Sequence, residues 1–333
     1  MPQPKSSAGY RIGIINPMTL VGNEIKTILR ERSFPFAKVV LLDSTGEASG
    51  ALTDIGDEAA IVTAISAEEL SDLDLAFFCG PAAGNAEWIA RAAQDGFIAI
   101  DLSQPSSSED GKLAVAGINL DELLGDDPIL ISPHPVAVPL ALILREVQRV
   151  APIDLVTATV VQPASEFDTK GVEELAQQTI AVLNIQTVPH EVFDRQLAFN
   201  LYPALEHNEA FIVTQVRSLI DARTEVALMI TQGTIFHGHT FALFVKLREE
   251  ANVDAIADAL RENPVFAFQE GDQQFGTIDA AGKDEVLIAE VRRDPSVRNG
   301  LWIWAVCDNL RRASALNAVL IAEKVLFGAG LTN

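Results

Sequence analysis

The sequence predicts a two-domain α/β protein: a doubly wound, parallel-sheet domain, then an α+β domain, with a C-terminal helix returning to the first domain. Three observations carry this prediction. The chain has 333 residues, more than one ordinary core accommodates. Short strands, apolar on both faces, alternate with helical stretches as far as Leu130. From Ile153 longer β-branched strands with alternating polarity take over, the texture of a largely antiparallel sheet with one face carrying helices and the other free for a partner.

In chain order, Tyr10 to Ile15 reads as a buried strand, Asn16 to Thr19 as a turn, and Leu20 to Arg32 as a helix with Val21, Ile25, Ile28 and Leu29 on its apolar face. Val39–Leu42, Ala60–Val62, Leu73–Phe78 and Phe97–Asp101 read as further strands, with helical material over Ala83 to Asp95. Gln104 to Lys112 is an exposed loop. The second domain is read from strands at Ile153–Val161, Glu225–Ile230 and His239–Leu247, with helices at Gly171–Leu183, Glu209–Ile220 and Val253–Arg261. Trp302–Val306 then runs into a helix, Asn309 to Leu326, that is apolar without a polar break and packs on the first domain, which is otherwise one helix short. The expected domains are therefore 1–132 with 305–333, and 133–304.

Composition excludes several functions. With 24 basic against 46 acidic residues and a net charge of -22, the chain lacks the electropositive face that nucleic acids and anionic membranes demand. Two cysteines, Cys79 and Cys307, form neither a disulfide framework nor a thiolate zinc site. No apolar run has the length of a membrane span and the N-terminus shows no signal-peptide pattern, so the expected compartment is the cytoplasm.

A dinucleotide-binding turn wants small residues, so that backbone N–H groups at a helix N-terminus approach a pyrophosphate. In Asn16-Pro17-Met18-Thr19-Leu20-Val21-Gly22 only the last glycine survives, and Pro17 has no N–H. Asp43, ending the second strand, stands where an acidic residue accepts from a ribose 2′-OH and repels a 2′-phosphate, which favours NAD over NADP; the competing reading is a turn-forming aspartate. The first domain is thus of Rossmann type, with NAD or NADP as its candidate cofactor and Thr19, Gly22 and Asp43, together with Asn309, as candidate cofactor-binding residues.

The stretch Asp126 to Leu140 joins a buried strand to a helix through a turn crowded with prolines, the geometry in which many enzymes present a nucleophile. Its central residue is Pro135. Cys79 and Cys307, on apolar strands, read as small buried hydrophobes, and His134, between two prolines, as a structural turn residue. His237 and His239 are read as alternating along one strand; no third ligand has matching spacing, so no metal site is expected.

Phe34-Pro35, Asp101-Leu102-Ser103, Gln162 with Gly171-Val172-Glu173-Glu174-Leu175, Asn200-Leu201-Tyr202-Pro203, His237-Gly238-His239, Arg292-Arg293-Asp294-Pro295-Ser296 and Asp308-Asn309-Leu310-Arg311-Arg312 with Ala315-Leu316-Asn317-Ala318, in this order and spacing, resemble aspartate-semialdehyde dehydrogenase over nearly the whole chain. The resemblance implies an NADP-linked enzyme of amino-acid biosynthesis, dimeric through its second domain, whose cysteine attacks an aldehyde and passes through a thioester to an acyl phosphate. The Asn-Pro-Asn-Cys motif of that family becomes Ser132-Pro133-His134-Pro135, and proline has no nucleophilic atom.

Other losses accompany it. The arginine that grips the substrate carboxylate falls on Gln232, the phosphate-binding arginine falls within Pro105 to Ser108, where there is none, and the Lys/Glu pair is not recognisable in Asn208 to Gln215. His239, matching the general acid/base, and Gln162, matching a substrate-orienting residue, remain. The expectation is a catalytically degenerate relative that dimerises and keeps a site for NAD, NADP or another small molecule. The alternatives are an NAD(P)-dependent oxidoreductase that acts on an aldehyde or oxo group without a cysteine thioester, with His239 as acid/base, and a pure interaction protein.

Overall fold

In the computed structural model, which describes residues 4–5, 9–56, 58–103, 110–123, 127–204, 208–269 and 275–328, the apolar runs of the first third become strands β1 (Arg11–Ile15), β2 (Lys38–Asp43), β3 (Leu52–Ile55), β4 (Glu58–Ile61), β5 (Thr63–Ala64), β6 (Leu75–Phe78), β7 (Ile98–Asp101), β8 (Lys112–Leu113) and β9 (Ile129–Ile131). Between them lie helices α1 (Leu20–Glu31), α2 (Ala67–Ser71), α3 (Ala82–Ile89) and α4 (Ala92–Asp95). The chain continues through α5 (Ala137–Val150), β10 (Ile153–Gln162), α6 (Asp168–Leu183), β11 (Leu201–Pro203), α7 (Glu209–Leu219), β12 (Glu225–Gly233), β13 (His239–Leu247) and α8 (Val253–Glu262). It ends with β14 (Phe266–Phe268), α9 (Thr277–Ala280), β15 (Val286–Arg293), β16 (Gly300–Cys307) and α10 (Leu316–Phe327). Among the described residues no helix is long and apolar enough to cross a membrane.

The chain divides into two compact units, Met1–His134 with Ser314–Asn333, and Pro135–Ala313. Residues 305–313, expected in the first domain, stay with the second because β16 runs on to Cys307 and pairs there with His239. Asp126 and the Pro105 to Ser108 position lie outside the described residues.

The first unit holds a seven-stranded parallel sheet in the order β5-β2-β1-β6-β7-β9-β8, so the strand order reverses at β1/β6. Successive residues of a strand point to opposite faces, and both faces are covered. Ile12, Ile14, Leu75 and Phe77 pack beneath Ile25, Ile28 and Leu29 of α1 and Val319 and Ile321 of α10, while Ile15, Ala76 and Phe78 join Leu70, Ile89 and Ala92 of the other helices. Contrary to the expectation of an unbroken apolar helix, the last helix buries polar residues, Asn317 and Glu323. Arg311–Ala315 winds as a π-turn before it, and its buried Glu323 accepts from Arg32 at 2.6 and 2.9 Å, tying α10 to the end of α1. Ala60, expected on a main-sheet strand, instead lies in β4, which pairs with β3 in a separate two-stranded antiparallel sheet.

The second unit holds a seven-stranded sheet in the order β11-β12-β10-β13-β16-β15-β14. It is mixed: β10 with β12 and β14 with β15 are parallel, the other four pairings antiparallel. Alternation along β10 buries Val156, Ala158 and Val160 and exposes Thr157 and Thr159. The exposed side continues through the register Met229–Thr159–Ala242–Trp304–Glu290, an open sheet face carrying Met229 and Trp304 at 59% and 40% exposure.

Candidate functional site

The carboxyl ends of β1, β2 and β6 form the switch-point crevice of the first unit, where doubly wound sheets bind ligands. Asn16 turns the chain there with φ +57°, a left-handed conformation that asparagine tolerates and that a dinucleotide turn ordinarily gives to its first glycine. Gly22 keeps the role of the third: a Cβ there would stand 2.7 Å from the Asn16 carbonyl oxygen and 2.8 Å from Pro17 Cα. The groups that would face the ligand are engaged elsewhere. Thr19 caps α1, its Oγ1 accepting from Gly22 N at 3.1 Å. Asp43 is buried and accepts from Thr45 N, Thr45 Oγ1, Ala48 N and Ser49 Oγ at 2.8–3.2 Å, which fills about the four acceptor positions a carboxylate has. Burial pushes its carboxyl up, but these hydrogen bonds outweigh it and hold the group below the usual carboxylate range. The turn-forming reading of Asp43 therefore describes what its side chain does here. The strand order places this crevice where a dinucleotide would bind, and the side-chain donors and acceptors of Thr19 and Asp43 are turned inward.

In the second unit, four pairings place a polar row across the helix-covered face of the sheet. Tyr202 lies opposite Gln232, Gln232 beside Gln162, and His239 opposite Cys307; extending the Val161–Thr240 register by one residue sets Gln162 beside His239. All five residues are buried. Gln162 Nε2 donates to Gln232 Oε1 at 2.8 Å and Gln232 Nε2 to the Gln162 carbonyl at 3.2 Å, so the two amides clasp each other. His239 Nε2 lies 3.3 Å from Glu166 Oε1. Asn309 Nδ2 donates to the same oxygen at 3.0 Å and lies 3.0 Å from Ser165 Oγ, while its Oδ1 accepts from Gly238 N at 2.9 Å. Asn309, expected to contact the cofactor, is thus committed to holding the loop before His239. His237 is not on the strand, which starts at His239; Gly238, at φ +87°, separates the two, so the alternation read from sequence does not apply. Glu166 and Ser165, 73 and 74 residues before His239 in sequence, carried no sequence signal beyond their nearness to Gln162.

Neither cysteine is accessible as a nucleophile. Cys79 and Cys307 are fully buried, and burial pushes the Cys307 thiol well up, so it stays protonated at neutral pH. At the elbow, Ser132 N donates to the Asp101 carbonyl and Ser132 Oγ accepts from Asn317 Nδ2 at 2.9 Å, fixing the end of β9. Pro135 occupies the turn just before α5, whose N-cap residue Val136 offers no capping side chain. Burial lowers the His134 pKa to about 4, so this imidazole is neutral at physiological pH. No group of three or more His, Cys, Asp or Glu placed to hold a metal occurs among the described residues. Among the described residues the second unit therefore brings an imidazole, His239, beside a carboxylate, Glu166, while position 232 carries an uncharged amide.

Comparison with known proteins agrees with this architecture. Residues 11–150 match the family described as semialdehyde dehydrogenase, NAD binding domain, and residues 147–312 the semialdehyde dehydrogenase dimerisation domain. The chain is 26% identical over 331 residues to an aspartate-semialdehyde dehydrogenase of Rickettsia bellii, covering 95% of this chain and 98% of that one. It is 29% identical over 332 residues to a USG-1 protein homolog of Azotobacter vinelandii, covering 96% and 98%. The solved structure of a probable aspartate-semialdehyde dehydrogenase from Pseudomonas aeruginosa superposes with a TM-score of 0.91 at 25% identity, covering 96% of this chain and 99% of that one. The doubly wound sheet, the mixed sheet and the returning helix are thus those of one lineage, and the chain belongs to the semialdehyde dehydrogenase family, with its NAD-binding and dimerisation domains.

Proposed function

We propose that this chain is an aspartate-semialdehyde dehydrogenase-like protein that has lost the family's covalent chemistry and acts as a dimeric, ligand-binding relative. The observation that carries the reading is Pro135 at the elbow position that the resemblance gives to the nucleophilic cysteine. The Gln162–Gln232 clasp supports it, because an uncharged amide already satisfied by its neighbour gives a substrate carboxylate nothing to pair with. A base without a nucleophile to activate cannot drive acyl transfer. The test is phosphate-dependent oxidation of aspartate semialdehyde with NAD or NADP. No turnover above background is expected, and Pro135→Cys alone restores none; turnover by the unmodified chain that disappears on His239→Asn would overturn the reading.

One observation favours a second reading. His239 with Glu166 at 3.3 Å is a carboxylate-imidazole pair able to give a proton to a carbonyl oxygen without a cysteine. A bound nicotinamide cofactor would supply the hydride chemistry; His239 would hold the proton, and Glu166 would orient the ring and balance its charge. NAD(P)H-linked reduction of simple aldehydes or oxo acids, lost on His239→Asn and weakened on Glu166→Gln, is the outcome that selects it.

The open sheet face of the second unit, with Met229, Trp304 and a threonine row, is the surface we propose for the homodimer contact. Its mixed apolar and hydroxyl character suits a two-fold sheet-to-sheet contact.

A further inference from the structure

A dinucleotide turn works by leaving its helix N-terminus uncapped, so that pyrophosphate oxygens take the N–H groups a capping side chain would otherwise occupy. Here α1 is capped from within. Thr19 Oγ1 accepts from Gly22 N and donates to the Asn16 carbonyl at 2.9 Å, which places its side chain where a dinucleotide turn keeps a bare glycine. Asn16 also reaches across the crevice. Its Nδ2 donates to Ser44 Oγ at 2.9 Å and to the Cys79 carbonyl at 2.8 Å, and its Oδ1 accepts from Ser44 N at 2.9 Å. These bonds join the ends of β1, β2 and β6. Asn85, fully buried, closes the network by donating to the Cys79 carbonyl at 2.8 Å and accepting from Ser44 Oγ at 2.8 Å. Gly80, at φ +79°, lies so close that a Cβ there would be 3.1 Å from Asn16 Nδ2. The network therefore spans the crevice and engages the polar atoms at its floor with one another.

We propose that the NAD-binding domain of this chain is latched by its own side chains: Thr19 takes the place of a pyrophosphate oxygen at the α1 N-terminus, and Asn16, with Ser44 and Asn85, occupies the crevice. NAD and NADP then bind weakly, and Asp43, spent on its own loop, does not choose between them. The latch stands apart from the loss of the thiol, since tight coenzyme binding would leave Pro135 as it is.

The test is calorimetric titration of the full chain with NAD and with NADP, which needs no turnover. Two variants open the latch without removing the turn: Thr19→Gly, because glycine replaces a threonine cap at little cost, and Asn16→Gly, because φ +57° suits glycine. Thermal unfolding checks that each is folded. The unmodified chain should bind both coenzymes more weakly than about 100 μM and within about threefold of each other, and at least one glycine variant should tighten binding tenfold or more, about 1.4 kcal/mol. Tighter binding by the unmodified chain, a larger preference that Asp43→Asn removes, or folded glycine variants with unchanged affinity would each overturn the proposal.

Discussion

His134 and Asp43 are titratable residues whose charge their surroundings set in opposite ways. Burial lowers the His134 pKa from 6.5 to about 4, so as pH falls through 6.5 the unfolded chain takes up a proton that the folded chain refuses. His134 therefore costs stability progressively between about pH 6.5 and 4. Urea unfolding across that range should show a smaller loss for His134→Gln than for the parent. Asp43 has the opposite sign: its hydrogen bonds hold the carboxyl low, and their contribution is present above the unfolded pKa and lost as pH falls through the folded one. Asp43→Ala strands the Thr45 and Ala48 N–H groups and should lower unfolding free energy by about 1–3 kcal/mol, measured by urea titration at pH 7.

At the scale of elements, a close approach of α1 to the Asn16 turn and the Arg32–Glu323 ion pair between α1 and α10 add to the apolar packing of both helices on the first sheet. Helix propensity alone would make Gly22→Ala stabilising by about 1 kcal/mol. The approach of α1 to the Asn16 turn reverses that sign, because the new Cβ meets backbone atoms at 2.7 and 2.8 Å that no side-chain rotation can relieve. A lowered Tm for Gly22→Ala is expected; an unchanged or raised Tm would show that the turn yields. Glu323 is fully buried beside Arg32, so Glu323→Ala leaves a half-buried guanidinium without its bidentate partner and should cost about 3 kcal/mol in denaturant unfolding.

Across the whole molecule, a net charge of -22 shapes association. Two copies meeting through the open sheet face repel at long range, and salt screens that repulsion over about 8–10 Å. Sedimentation should accordingly show a dimer that tightens as salt rises from low to physiological, and Met229→Asp with Trp304→Asp, placing carboxylates on that face, should give monomers. A salt-independent dimer unaffected by both changes would place the contact elsewhere on the chain.

The local patterns were legible because each is written within a few neighbouring residues. The apolar run Ile12–Ile15 makes a strand buried on both faces, and the spacing of Ile25, Ile28 and Leu29 makes a helix with one apolar side. The strand–turn–helix around Pro135 was legible too, since its apolar runs and prolines are adjacent in the chain. The sequence could not show partners chosen across the fold. Glu166 meets His239, Gln162 turns to Gln232, and Asn16 finds Ser44 and Asn85 only because strands distant in sequence end side by side. Asp43 shows the difference most plainly. Its position at the end of β2 follows from the sequence, but whether its carboxylate faced a ribose or its own loop was decided by the turn of Thr45 to Ser49, where four nearby donors need no ligand to satisfy them.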